Sequence, residues 1–535
     1  MHNLILVNGN IHTMDPALPK VQEVVVHDGR IAYVGDSRTA SGFKGSKSQV
    51  IDLKGQTVLP GFIESHMHPL WFGIGLLQVN CGPSVVPSMV KMAEKIKSVV
   101  DHTPKGEWIL GTGWDHTKMQ EKRFPNRWDL DKAAPDHPVF LKRTCAHMAV
   151  VNSKALALAG ITKATPNPES GEIVRDPQSG EPTGMLLEQA MDLVPLPKYK
   201  VVDLENGMDL AQKEFGKSGV TMVNDMSAEE EGLRAYQNLL KKNQLSVRYR
   251  LWPFARPTLG YRGFLKELVS LGIQSGFGNE MVNIQGVKFI LDGTIGGRTT
   301  ALSEPYVNDP SNYGILYDDE NGLLPDVLLA LNGGLRISMH AKGDRAIEAV
   351  VRVMEMANKE VEVPRFRNRI EHCDMPSSDQ LRRMKKLNMA IGSSCPFNYY
   401  ATDMFVTNLG EERANRMFPQ KSIQEMGLIA PLNSDGPVCG ETKPLVNAYY
   451  AVTRKSREGV ILGKDQAISV YDAIKAVTID AAYMTFDENN VGSITIGKWA
   501  DIVVLEDDPF RTDPENLRNI DVAMTLVQGQ IVFQK

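Results

Sequence analysis

Apolar and polar residues alternate at both ends of the chain, the period-two pattern of half-buried strands. Residues 4–13 read as strand, Asn8-Gly9 turn, strand, and residues 24–34 repeat the pattern as VVVH, Asp28-Gly29, RIAYV. Asn-Gly and Asp-Gly between apolar runs favour type I′ hairpins, which need positive φ at both central positions. The same texture returns in GSITIG, ADIVVLE and AMTLVQGQIVF near the other end. Neither end carries enough residues for its own core. Residues 1–57 and 490–535 are therefore expected to build one small discontinuous β-sandwich domain; two unrelated flaps would leave more strand edges unpaired.

Between the ends, short apolar runs alternate with helical periodicity. Candidate strands fall at 57–66, 219–226, 246–254, 282–292, 336–341, 368–373, 388–394 and 429–435. Arg345–Glu360 puts Ile347, Val350, Val351, Met354 and Ala357 on one helix face. Ser377 or Ser378 caps a helix expected to reach Lys386, and Ser469 one expected to reach Met484. Eight strands separated by helices predict an α/β fold, a (β/α)8 TIM-like barrel over residues 58–489. A doubly wound open sheet fits the alternation too, but no Gly-rich phosphate turn follows the first strand. Between Pro69 and Ser218 the spacing of roughly 150 residues is too long for one connection. The segment at about 70–218 is read as an insertion that caps the barrel mouth.

Composition narrows the class. The 535 residues carry a net charge of −5, with 42% hydrophobic and 23% charged residues, an ordinary globular balance. No bulk basic field exists to hold nucleic acid. Cys81, Cys145, Cys373, Cys395 and Cys439 are too scattered, and odd in number, for a disulfide framework, which suits a reducing cytoplasm. The N-terminus lacks a basic leader and no apolar run approaches a membrane span, so neither a signal peptide nor a membrane contact is expected.

The chemistry-bearing residues collect at strand ends. Glu64-Ser-His66-Met-His68 places two imidazoles two residues apart, on one side of an extended strand. His340 closes RISMHA, His372 closes NRIEHC, and Asp435 closes PLNSD before Gly436-Pro437. Each lies at the C-terminal tip of a different strand, the face on which barrel active sites form. Lys288, among apolar neighbours in GVKFILDG, has two readings. It either pairs with an interior carboxylate or, as a neutral amine, takes up CO₂ to form a metal-bridging carbamate.

HxH on strand one, Lys on four, His on five, His on six and Asp on eight resembles the binuclear pattern of the amidohydrolase superfamily. LPGFIESHMHP, VKFILDGTIGGRTTAL, HAKGDRAIEAV, RIEHCD and GSITIGKWADIVVL are similar to its YtcJ-like branch, which includes N-substituted formamide deformylases. The resemblance implies that His66 and His68 hold one metal, with Asp435 nearby, and His340 and His372 the other. Carboxylated Lys288 and a hydroxide would bridge them. Two zinc ions per chain are the first expectation; manganese, iron or nickel suit the same donors. A metal-bound hydroxide would attack a carbonyl, and Asp435 would pass the proton to the leaving amine. The expected activity is hydrolysis of an amide or other non-peptide C–N bond in a small molecule. Ester or lactone hydrolysis is the alternative on the same site, and decarboxylation a more distant one. A catalytically silent scaffold of the same fold would predict eroded ligands, whereas all six positions are filled. The resemblance also implies a homodimer.

Other residues keep two readings. His147 is either a catalytic donor to the substrate carbonyl or a structural histidine of the insertion. Asp292 and Arg298 either line the mouth or pair with each other. Glu371 and Asp344 either orient an imidazole or pair with Arg369 and Arg345. Trp71, Phe72, Trp114, Phe397 and Tyr399 are expected to face the substrate, which points to an aromatic, apolar one. Glu64, Lys342, Cys395 and Gly436 depart from the branch pattern near the mouth, and bear on substrate identity rather than on the metal ligands.

Overall fold

The structure, a computed structural model, describes residues 3–36, 40–43, 45, 48–143, 148–168, 171–258, 260–307, 309–438 and 441–535. It divides into two compact units, residues 1–70 with 211–535, and residues 71–210.

In the first unit the two ends of the chain share sheets. A six-stranded sheet runs Gln530–Gln534, Val522–Val527, Ile502–Leu505, Thr57–Pro60, Asn10–His12, Lys20–Val21. Val58 faces Val504 across its antiparallel seam. A four-stranded sheet runs Arg30–Gly35, Glu23–His27, Asn3–Val7, Gln49–Asp52. Leu4, Leu6, Val24 and Val26 of the smaller sheet and Val58, Ile502, Val504 and Leu526 of the larger are buried in one core. Asp28-Gly29 does turn a hairpin, His27 facing Arg30, with φ of 46° and 79°. Asn8-Gly9 does not. The strands on either side enter different sheets, and only Asn8 has positive φ. A Cβ at Gly9 would stand 2.7 Å from Leu53 Cδ1, so the glycine serves a close approach at a corner rather than a hairpin.

The interior strands are parallel. Phe62–Met67, Val220–Ala228, Arg248–Pro253 and Val282–Ile284 form one set, and Gly286–Ile290, Arg336–Ala341, Arg369–His372 and Ala390–Ser393 another. A bridge from Phe254 to Lys288 joins the sets, and one from Ser393 to Leu432 extends the second. Among the described residues the ladder does not close into a continuous ring. The expected strand at 429–435 contributes that single bridge, because Pro431 has no N–H to continue a ladder. Its neighbours still bond outward: Asp435 N donates to His66 O at 3.1 Å and His68 N to Gly436 O at 2.8 Å.

Alternation along these strands sorts the side chains. Val287, Phe289, Ile337, Met339 and Ile370 enter a core with Ile347, Val350, Val351 and Met354 of helix Asp344–Ala357. Lys288, Ser338, His340, Arg369 and Glu371, of opposite parity, take the other face. Helix Ser378–Lys386 starts at Ser377, whose capping box with Gln380 is complete. The helix expected from Ser469 to Met484 is two, Val470–Ala476 and Ile479–Met484. The break follows from Val477, whose carbonyl accepts from Ile63 N at 2.9 Å.

The second unit holds a six-stranded sheet, Gly171–Arg175, Pro182–Glu188, Met148–Val151, Val139–Arg143, Ile109–Trp114, Val79–Asn80. Two apolar clusters pack on it, one around Ile96, Leu141 and Val150 and one around Phe140, Val151 and Leu186. Among the described residues no helix is long and apolar enough to cross a membrane.

Candidate metal centre

His66 and His68 sit at the tip of Phe62–Met67, 1% and 9% exposed. Both turn Nε2 toward Asp435 Oδ1, at 3.3 and 3.1 Å. That oxygen nevertheless has no hydrogen-bond partner. The reason lies on the far side of each ring. His66 Nδ1 is 2.7 Å from Glu371 Oε2, a carboxylate oxygen that only accepts. His68 Nδ1 is 2.7 Å from Ser227 Oγ, whose own proton turns to Asp225 Oδ1 at 3.4 Å. An Nδ1–H that donates behind each ring gives the neutral imidazole an Nε2 lone pair on the side of that oxygen. Two ring nitrogens and a carboxylate oxygen converge here, a donor set that a cation satisfies and that fits a metal ion.

His372 repeats the arrangement. Its Nδ1 is 2.7 Å from Ser394 Oγ, and Ser394 donates to Asn433 Oδ1 at 3.0 Å. Alternation would put His372 on the helix-packed face with Ile370. Its φ of 70° instead turns the ring inward, 4.9 Å from His66 and 4.4 Å from His340, centre to centre. Asp435 is likewise left-handed, with φ of 49°. Two non-glycine residues held in that region beside one cluster are strain retained at a functional place. His66, His372 and Asp435 each offer a donor atom within 4.8 Å of the others. His340 uses the opposite nitrogen: Nε2 contacts Gly293 O at 3.2 Å, leaving Nδ1 for a metal.

Glu371 both orients His66 and pairs with Arg369, so its two readings hold together. Arg369 bonds it through Nε and through Nη2 at 2.8 Å, while Ser338 Oγ donates to Oε1 at 2.7 Å. Burial would raise this carboxyl, but Arg369, Lys288 and His66 outweigh it and hold Glu371 well below the usual range. Burial, with Lys342 adding to it, lowers His340 and His372 well below the ordinary imidazole value. These rings are neutral, the form that binds metal. Burial pushes the Lys288 amine down to about 8, and its Nζ has no hydrogen-bond partner. It also pushes Glu64 and Asp374 up to about 7, in Asp374 against the pull of Lys342.

The remaining residues divide. Phe397 lies 5.8 Å from the His372 ring, at the cluster's edge. Asp292 is 3.5 Å from His340 Nε2 and accepts from the backbone N–H groups of Ala301, Lys342 and Gly343. Arg298 does not pair with it; its Nε donates to Asn408 Oδ1 at 2.8 Å. Asp344 turns to Ser303 rather than to a histidine. Tyr399 accepts from Arg518 and packs on Tyr449. Trp71 and Trp114 belong to the 71–210 unit; Trp114 is fully buried there and donates to Leu141 O at 2.7 Å. His147 lies outside the described residues. Sequence reasoning passed over Ser227 and Ser394, the hydroxyls behind two rings. Their positions at the ends of the second and seventh strand patterns were the available signal.

A buried set of imidazoles and carboxylates at the tips of parallel strands defines the class, a metal-dependent hydrolase. The sequence profile of the amidohydrolase family matches residues 49–533, and the chain belongs to that family. It is 30% identical to the putative amidohydrolase YtcJ of Bacillus subtilis, over 98% of each chain. It is 27% identical to the N-substituted formamide deformylase of Arthrobacter pascens, over 100% of this chain and 99% of the other. A crystal structure of an uncharacterized metal-dependent hydrolase from Pyrococcus horikoshii superposes with a TM-score of 0.78 at 29% identity, covering 96% of this chain and 99% of that one. The protein is thus an enzyme of the YtcJ-like branch, a metal-dependent amidohydrolase.

Proposed function

We propose that this enzyme hydrolyses an amide or other non-peptide C–N bond in a small molecule, on a (β/α)8 barrel carrying two divalent cations. His66 and His68 would hold one ion with Asp435, and His340 and His372 the other, with Lys288 bridging as its carbamate. Zinc suits imidazole and carboxylate donors. When bound, the ions supply an activated water at neutral pH and polarise the substrate carbonyl. One observation carries the reading: Nε2 of His66 and Nε2 of His68 converge on Asp435 Oδ1 at 3.3 and 3.1 Å, with a carboxylate or hydroxyl behind each ring.

The chain's own groups do the rest. Glu371 and Ser227 fix the tautomers of His66 and His68. The Lys288 amine, near neutrality at about 8, supports its reaction with CO₂. Asp435 takes the proton of the attacking water and hands it to the departing amine, which cannot leave as an anion.

Metal analysis together with hydrolysis of N-substituted formamides, other N-acyl amines and aryl esters tests this. Asp435→Asn is expected to keep some metal and to lose about 10²–10⁴-fold in kcat on amides. Wild-type turnover in that variant would overturn the role, and preference for esters over amides would overturn the bond assignment.

A further inference from the structure

Lys342 stands two residues past His340, just beyond the strand Arg336–Ala341, and is only 6% exposed. Its Nζ lies 4.4 Å from the centre of the Phe397 ring. Among the described residues that ammonium donates no hydrogen bond and has no carboxylate within 4.0 Å. A ring face is a partial partner for a cation, and three N–H donors remain to be used. The residue is fixed by its backbone instead: Lys342 N donates to Asp292 Oδ1 at 3.0 Å. Asp374 is fully buried, and neither of its carboxylate oxygens has a hydrogen-bond partner. The two charges act on each other through space without touching. The stem of Lys342 is covered while its head keeps N–H donors to spare, over a ring that itself borders His372.

We propose that Lys342 receives a carboxylate carried by the substrate, so that the enzyme acts on amides bearing a free carboxylate, such as N-acyl amino acids. The inference rests on the C–N hydrolase reading and deepens it. Phe397 forms the wall on which the lysine stem and head are held, and the spacing places the anion beside the histidine cluster rather than within it.

The test compares both enantiomers of N-acetylphenylalanine with their methylamides, which keep the shape and lose the charge. Equilibrium binding and hydrolysis are measured on the metallated wild type, Lys342→Gln and Lys342→Arg, with metal content and Tm as controls. Lys342→Gln is expected to weaken binding of the acid at least about tenfold, the loss of one charge-assisted hydrogen bond. Its effect on the methylamide should stay under about twofold, and Lys342→Arg should recover part of the loss. Equal responses of acid and amide, or no binding of either acid by the wild type, would overturn the proposal. Charge-dependent binding with no hydrolysis of these compounds, of N-substituted formamides or of other N-acyl amines would support the anion site while sinking the C–N hydrolase reading, so the two failures are distinguishable.

Discussion

Glu371 concentrates more of the site's physics than any metal-facing group. It is fully buried and satisfied on both oxygens by Arg369, Ser338 and His66. Arg369, also fully buried, uses its other donors on Ser65 O and Asn224 Oδ1. Glu371→Gln keeps the shape but leaves a buried guanidinium without its anion. Breaking a buried pair in this way costs about 3–5 kcal/mol. Losing the carboxylate behind His66, a proposed ligand, should weaken metal binding by about 10–100-fold. Denaturant titration and metal competition read the two effects separately. A variant with unchanged stability would show that Arg369 has another partner.

At the scale of elements, the strands deliver side chains by parity and depart from parity where the site needs it. Lys288, Ser338, His340 and Glu371 follow the alternation, and that much is legible in the sequence. His372 is not, because its left-handed backbone reverses the side it faces. No composition or spacing announces such a residue, which the surrounding packing must hold in place. The Asn8-Gly9 corner failed for a related reason: a turn dipeptide shows that the chain bends, not which strand it will meet next. Helix starts were clearer, since caps are local. Ser377→Ala removes the N-cap of Ser378–Lys386 and is expected to cost about 0.5–2 kcal/mol in urea unfolding, with the site unaffected. A loss of metal in that variant would mean that the helix positions more than its own strand.

For the whole molecule, the larger terminal sheet joins strands from opposite ends of the chain. Ile502–Leu505 lies between Thr57–Pro60 and Val522–Val527, and Arg248 of the parallel strands makes a buried ion pair with Asp501. Removing residues 499–535 would strip Thr57–Pro60 of its antiparallel partner and open the apolar face of Leu4, Val26 and Val58. Exposed edges and apolar faces of this kind aggregate. The truncated chain is expected to elute as aggregate in size-exclusion chromatography. A monodisperse product with wild-type Tm would show that the N-terminal strands suffice.

The sequence by itself determined the alternation of strands and helices, the period-two ends, and the histidines, lysine and aspartate gathered at strand tips. These are local patterns, set by the repeat of the backbone and by residue type. Tertiary structure alone decided the rest. It brought Asp435 against His66 and His68 across more than 350 residues of chain, set Ser227 and Ser394 behind the rings, turned His372 inward, and left the head of Lys342 without an acceptor. Each of these depends on which strands become neighbours, and neighbours are chosen by burying apolar faces over the whole chain rather than by any one segment of it.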